Sequence, residues 1–79
     1  MRTYLIAYSI YNKTQKGNLV FKGAKTIVVD NANSQSHAVS AAYDYIAPES
    51  DILSITELDF DTTIYESTPR IDAQTGKGL

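Results

Sequence analysis

The side chains best suited to catalysis stand in the middle of the chain, where His37 has Ser36 and Ser40 as neighbours. A serine acts as a nucleophile only when a base takes its proton and an acid orients that base. On a helix the nearest acid, Asp44, would lie nearly two turns from His37. The chain has one histidine and no cysteine, so a zinc site would have to rely on carboxylates. We therefore predict that the protein is not an enzyme and uses no metal or cofactor.

Acidic side chains alternate toward the end of the chain, at Glu57, Asp59 and Asp61. On an extended strand they would share one face, about 7 Å apart. Such a row keeps an exposed strand soluble, and it can also imitate the charges of a phosphate backbone and so occupy the basic groove of a nucleic-acid-binding protein. We predict a partner-binding acidic surface formed by Glu57, Asp59 and Asp61, extended by Tyr65 and Glu66.

Basic side chains gather in the other half of the chain. The first 43 residues hold five basic side chains against Asp30 alone, whereas the remaining residues hold eight acidic side chains against two basic ones. Cations beside aromatic rings can bind nucleic acid through phosphate contacts and base stacking, although the net charge of −2 weighs against this use. The alternative nucleic-acid-binding surface consists of Lys13, Lys16, Lys22, Lys25 and Tyr11.

Composition also bears on where the protein works. A chain without cysteine fits a reducing compartment and cannot be a disulfide-stabilised secreted scaffold. The first residues lack the apolar core of a signal peptide, and no apolar run approaches the length of a membrane span. We expect a soluble cytoplasmic protein with no membrane contact.

The first half of the chain has the periodicity of a hairpin followed by a helix. Residues 4–11 place β-branched and aromatic side chains at every second position, residues 19–30 are again strand-like, and a polar connection separates the two runs. Gly23 interrupts the second run and predicts a bulge or a tight turn, of which we favour a bulge in one long bent strand. Residues 34–47 predict a helix that ends before Pro48. Its apolar stripe comprises Ala38, Val39, Ala42, Tyr45 and Ile46.

The remaining residues predict a third strand at 51–60, with a bulge near Thr56-Glu57 where the apolar residues change face. Residues 62–66 can extend the sheet as a fourth strand. Residues 67–79 have no period and are expected to form a flexible C-terminal tail after a single domain of residues 1–66. The fold class is therefore α+β, with strand and helix order β-β-α-β(-β). We expect a small antiparallel sheet of three or four strands and one helix packed on one face.

This arrangement resembles small phage- or prophage-encoded accessory proteins of β-β-α-β form. The residues that carry the resemblance are a tyrosine-rich first strand (residues 4–11), a polar connection with lysine and glycine, a second strand and an alanine-rich helix. Some of these proteins, certain anti-CRISPR proteins among them, inhibit host defence complexes by binding their nucleic-acid or partner surfaces. The resemblance implies a protein partner in the host cytoplasm, such as a nucleic-acid-binding or defence complex. It covers only the order of elements over residues 3–60 and transfers no functional residue.

We therefore expect a non-enzymatic binding protein that acts through its acidic surface and inhibits such a complex. Two alternatives stay open. One is a nucleic-acid-binding module that uses the hairpin with its lysines and tyrosines. The other is a self-associating structural protein, such as a homodimer, because an exposed edge strand can pair with a second copy.

Overall fold

The computed structural model describes residues 1–59 and 62–77. The four strands form one sheet in the order β3-β1-β2-β4. β1 is antiparallel to β2 and β3, whereas β4 is parallel to β2. The fold is thus α+β with a small mixed sheet. In chain order the elements are β1 (Arg2–Lys13), β2 (Leu19–Ala32), α1 (Gln35–Tyr45), β3 (Ile52–Leu58), a 3₁₀ turn (Thr62–Tyr65) and β4 (Arg70–Asp72).

The position of the fourth strand corrects the predicted order. The added strand is Arg70–Asp72, whereas Thr62–Tyr65 forms a 3₁₀ turn. β4 lies at the edge of the sheet opposite to β3. Because it pairs with β2 in parallel, the sheet is mixed rather than antiparallel. The strand lies within the segment that the sequence sets apart as a tail, and its central residue, Ile71, is only 1% exposed. A strand of three residues is too short to show a period in the sequence.

The long hairpin forms as the alternation predicts. Tyr4, Ile6 and Tyr8 point to one face of β1 and are buried. β2 is one continuous strand, and its register shifts at a bulge, because Ile10 pairs with Gly23 whereas Tyr11 pairs with Phe21. Gly23 has a φ of 153°, in a region that favours glycine. The preferred interpretation of Gly23 as a bulge is confirmed.

Ser34 caps the start of the helix, which packs through its smallest side chains. The Ser34 hydroxyl oxygen accepts a hydrogen bond from the N–H of His37 at 3.2 Å. The buried residues of the helix itself are Ala38, Ala41 and Ala42, so the helix can approach the sheet closely. Tyr45, which the apolar stripe placed inside, is 46% exposed. The buried face of the helix therefore includes Ala41 instead of Tyr45, and the small side chain of Ala41 fits between the helix and the sheet.

The third strand pairs more regularly than its sequence suggests. Its register against β1 is continuous from Ser54 to Leu58, and the shift lies at Leu53, between the pairs Ala7–Ser54 and Tyr8–Ile52. The expected bulge near Thr56-Glu57 is therefore wrong. Its apolar residues change face because both faces of the sheet bury side chains: Ile55 packs on the helix side, whereas Leu58 is buried on the other.

The main core lies between the helix and one face of the sheet. Val28 does not belong to it, yet it is fully buried on the opposite face, so that face is also partly covered. In the described part of the chain, no helix has the length and apolar character needed to cross a membrane. The core comprises Tyr4, Ile6, Tyr8, Ile27, Val29, Ala32, Ala38, Ala41, Ala42, Ile46, Ile71 and Ala73.

Candidate functional site

The first two strands extend well past the rest of the sheet. β3 pairs with β1 only from Thr3 to Tyr8, and β4 pairs with β2 only from Val28 to Asp30. Residues 10–23 therefore form a two-stranded ribbon, here called the hairpin arm, in which the described strands pair only with each other. The arm contributes to an elongated molecule of 43 × 23 × 20 Å. It is the part of the sheet with the fewest neighbours.

Large apolar side chains are exposed side by side on the hairpin arm. Leu19, Val20 and Phe21 are 50%, 51% and 61% exposed. Since successive residues of a strand point to opposite faces, Leu19 and Phe21 share one face and Val20 lies on the other. A ribbon of two strands has little stability of its own, and adjoining exposed apolar side chains indicate an interaction surface. Both faces of the arm are therefore suited to contact a partner.

Positive charge surrounds these apolar side chains. The arm carries Lys13, Lys16 and Lys22 and no acidic residue. Tyr11 also lies on the arm, with its ring against that of Phe21. The structure thus brings together four of the five residues predicted to bind nucleic acid. The fifth, Lys25, lies further along β2 and lines a separate cleft.

The loop after the helix fixes one side of the arm to the body of the protein. The N–H of Ser9 donates to the carbonyl oxygen of Asp51 at 2.9 Å, and the N–H of Asp51 donates to Oγ of Ser9 at 2.9 Å. Above this contact an open groove of about 540 Å³ separates the loop from the arm. The arm is therefore anchored at its base. The groove is lined by Lys13, Gly17, Leu19, Pro48 and Glu49.

The predicted acidic surface begins at a residue that already has partners. Oε1 of Glu57 lies 3.8 Å from Nη1 of Arg2 and accepts a hydrogen bond of 3.4 Å from the Tyr4 hydroxyl. Arg2 thus offsets part of its charge, although an exposed pair of this kind contributes little energy. Asp59 and Glu66 are exposed.

The predicted acidic surface also includes Tyr65 and Asp61. Tyr65 is half-buried in the 3₁₀ turn, and Asp61 lies outside the described residues. The acidic surface therefore stays a prediction.

His37 is held by two contacts within the fold. Its Nδ1 accepts a hydrogen bond of 3.0 Å from the N–H of Asn33, and its Nε2 lies 3.1 Å from the carbonyl oxygen of Ala73. Because a carbonyl can only accept, the proton belongs on Nε2. Both ring nitrogens are occupied in joining the helix to the segment after β4. His37 therefore has a structural role here rather than that of a base beside a serine.

Two surface features, the exposed apolar residues of the arm and the cleft beside Lys25, have no recognisable sequence motif. The apolar triplet of the arm, residues 19–21, resembles any buried strand in sequence. The triplet lies where the hairpin extends past the rest of the sheet, because β1 has 12 residues and β3 has 7, a mismatch that the predicted strands only partly reveal. The cleft beside Lys25 draws its lining from four separate stretches of the chain, so it has no motif.

Within residues 1–59 and 62–77, histidine, aspartate and glutamate side chains form no group of three or more that could hold a metal ion. No protein-family model matches the chain, and no similar curated protein or solved structure was found.

Proposed function

We propose that this protein is a non-enzymatic binding protein whose hairpin arm contacts a protein partner. The observation that carries the proposal is the consecutive exposure of Leu19, Val20 and Phe21 on a ribbon with no third strand in the described structure. Burying the exposed half of each side chain would contribute about 1–2 kcal/mol by apolar area. Leu19 and Phe21 share one face of the arm, so together they give that face an apolar centre that a partner can bury.

Charge indicates the character of the partner. Lys13, Lys16 and Lys22 surround the apolar centre, so the complementary surface is an apolar patch with an acidic rim. Such rim charges mainly raise the rate of association and make it dependent on salt. The same charges disfavour contact between the arms of two copies, because each arm is basic throughout.

The test is affinity capture with matched variants. The wild-type chain, the arm variant Leu19→Ser/Phe21→Ser and the control Tyr43→Ser/Ile64→Ser would each be immobilised and exposed to a lysate of the producing cells. The control removes apolar side chains of similar exposure, 49% and 71%, from other surfaces. We expect a defined protein to be retained by the wild type and the control and lost from the arm variant. Equal retention by all three chains would refute the proposal.

Nucleic-acid binding is a second candidate, favoured by the three lysines and the Tyr11–Phe21 ring pair on the same arm. Phosphate contacts and stacking would use the lysines and rings but leave Leu19 and Val20 exposed, which is why a protein partner is preferred. The variant Lys13→Gln/Lys16→Gln/Lys22→Gln separates the two candidates. Loss of binding to single-stranded DNA or RNA in that variant, with strong weakening by moderate salt in the wild type, would favour nucleic acid.

Three expectations from the sequence stay predictions. They are the inhibition of a host nucleic-acid-binding or defence complex, the use of the acidic surface, and the formation of a homodimer. The mass of the protein in solution tests the homodimer directly. The captured partner, once identified, tests the other two.

A further inference from the structure

A cleft opens at the outer edge of β2, beyond the end of β4. The pairing of β4 stops at Val28, so Lys25 and Thr26 lie past the last residue of that ladder. The segment that leads into β4 and the end of the helix form the other walls. The cleft has a volume of about 450 Å³, within the range of small-molecule sites. Its lining consists of Tyr8, Lys25, Thr26, Tyr45, Ser67, Thr68 and Pro69.

The described lining is rich in hydrogen-bond donors and includes one lysine. Of its seven lining side chains in the described part of the chain, five carry a hydroxyl group and Lys25 alone is charged. The carboxylates nearest in sequence, Asp44 and Glu66, do not line it. An ammonium group among hydroxyl donors, with no carboxylate among the described lining residues, is suited to an anion.

The hydroxyl of Tyr8 stays protonated in this setting. Tyr8 is 9% exposed, and burial, with a smaller contribution from Tyr45, raises the pKa of its phenol. The group therefore remains a neutral donor at physiological pH. The rings of Tyr8 and Tyr45 add apolar walls on which an aromatic group can pack.

The backbone supplies a further donor. The N–H of Val28 points to the outer edge of β2, where it donates to the carbonyl oxygen of Pro69 at 2.9 Å. Residues two apart in an antiparallel strand direct their N–H groups to the same side. The N–H of Thr26 therefore points toward the cleft, beyond the end of the β4 ladder. This donor adds to Lys25 and the hydroxyl groups.

We propose that this cleft binds a phosphate monoester with an aromatic substituent, the phosphate contacting Lys25, Thr26 and Thr68 and the substituent packing between the two tyrosine rings. The site lies at the edge of β2 and is independent of the hairpin arm. Its ligand is defined by the chemistry of the lining. A terminal phosphate offers oxygen acceptors on every side, which matches donors that come from β2 and from the segment before β4.

The test is a titration followed by the amide signals of the ¹⁵N-labelled full chain. The probes are phenyl phosphate, inorganic phosphate and, at matched ionic strength, sodium chloride. We expect saturable shifts at Lys25, Thr26 and Thr68 with both phosphates, tighter binding of phenyl phosphate, and only small unsaturable shifts with chloride. Absence of a saturable response to phenyl phosphate would overturn the proposal.

Matched lysine variants show whether the effect is local. Lys25→Gln should weaken phenyl phosphate binding by roughly tenfold, the loss of one charge-assisted hydrogen bond. Lys22→Gln removes the same charge from the arm and should leave affinity unchanged. Equal weakening in the two variants would refute a local site and indicate general attraction by the lysines. Both residues are exposed, so neither variant is expected to impair folding.

A last arm of the experiment separates two sources of phosphate. An oligonucleotide without a terminal phosphate offers only diesters to the cleft. Tighter binding of that oligonucleotide than of phenyl phosphate, with the same loss in Lys25→Gln, would overturn the monoester assignment. Weaker binding would support it.

Discussion

Tyr11 and Phe21 meet edge to face across the hairpin arm, with ring centroids 5.9 Å apart and an angle of 74° between the ring planes. The two residues are direct partners in the ladder between β1 and β2. An aromatic pair of this geometry contributes about 0.5–1.5 kcal/mol beyond simple burial. It therefore helps to hold the arm in shape before a partner arrives, which lowers the cost of ordering on binding.

The first prediction concerns this ring pair. Phe21→Ala should lower the free energy of unfolding by about 1 kcal/mol, because Phe21 is largely exposed and loses mainly its contact with Tyr11. Amide exchange in residues 10–23 should accelerate, while exchange around Ile6 and Ile27 stays slow. Urea denaturation and hydrogen exchange measure the two effects. An arm that exchanges no faster in the variant would show that the ring pair does not hold it.

The second prediction concerns the strand that the sequence did not reveal. Ile71→Ala should lower the free energy of unfolding by about 2–5 kcal/mol, since Ile71 is only 1% exposed in the core. Ile64→Ala makes the same change at a side chain that is 71% exposed and should cost less than about 0.5 kcal/mol. Thermal or urea denaturation compares them. Similar small losses in both would mean that β4 is not part of the core.

The third prediction concerns an ion pair that joins β2 to β4. Nε of Arg70 lies 2.9 Å from Oδ2 of Asp30, and the hydroxyl of Thr3 donates to Oδ1 of Asp30 at 3.0 Å. Asp30→Ala removes both interactions, and because the pair is partly buried we expect a loss of about 1–3 kcal/mol in urea denaturation. Asp59→Ala, at an exposed position, should change stability by less than about 0.5 kcal/mol. Equal effects would refute a stabilising role for the pair.

The fourth prediction concerns pH. The side chain of Asn31 donates to Oδ2 of Asp72 at 2.9 Å, and the N–H of Gln74 donates to Oδ1 at 2.8 Å. These hydrogen bonds, with that from Asn31 contributing most, lower the pKa of Asp72 below the ordinary value for aspartate. The stabilisation is thus present above that ordinary value and is lost as the pH falls through the lowered pKa.

An NMR titration of the Asp72 carboxyl group measures this shift. Asn31→Gly removes the donor yet tolerates the positive φ of 61° at this position, so the pKa of Asp72 should rise toward its ordinary value. A titration midpoint that does not move in the variant would contradict the assignment.

The sequence predicts those elements whose side chains face a single core. β1 alternates because Tyr4, Ile6 and Tyr8 all face the helix, and α1 shows its own period for the same reason. β4 is invisible because it offers one buried residue, Ile71, between two polar ones. The predicted bulge in β3 was wrong. The apolar residues of this strand change from one face to the other, which we interpreted as a shift in register, but Leu58 is buried on the second face of the sheet without such a shift.

The surfaces depend on strand order, which the sequence does not specify. Leu19 and Phe21 look like ordinary strand residues in the sequence, and only the strand order shows that their part of β2 pairs, in the described structure, with β1 alone. Tyr8 and Lys25 are direct partners in the ladder between β1 and β2. Tyr45, at the end of the helix, and Thr68, in the segment before β4, reach the same cleft only through the tertiary fold. Neither surface follows from spacing alone.

The central claim is that the hairpin arm is the contact surface, and hydrogen exchange of the chain in complex with its captured partner tests it most directly. Amides of residues 10–23 should gain protection on binding, and those of Glu57 and Asp59 should not change. Protection confined to Glu57 and Asp59, with an arm that exchanges as fast as in the free chain, would contradict the claim and assign binding to the acidic surface instead.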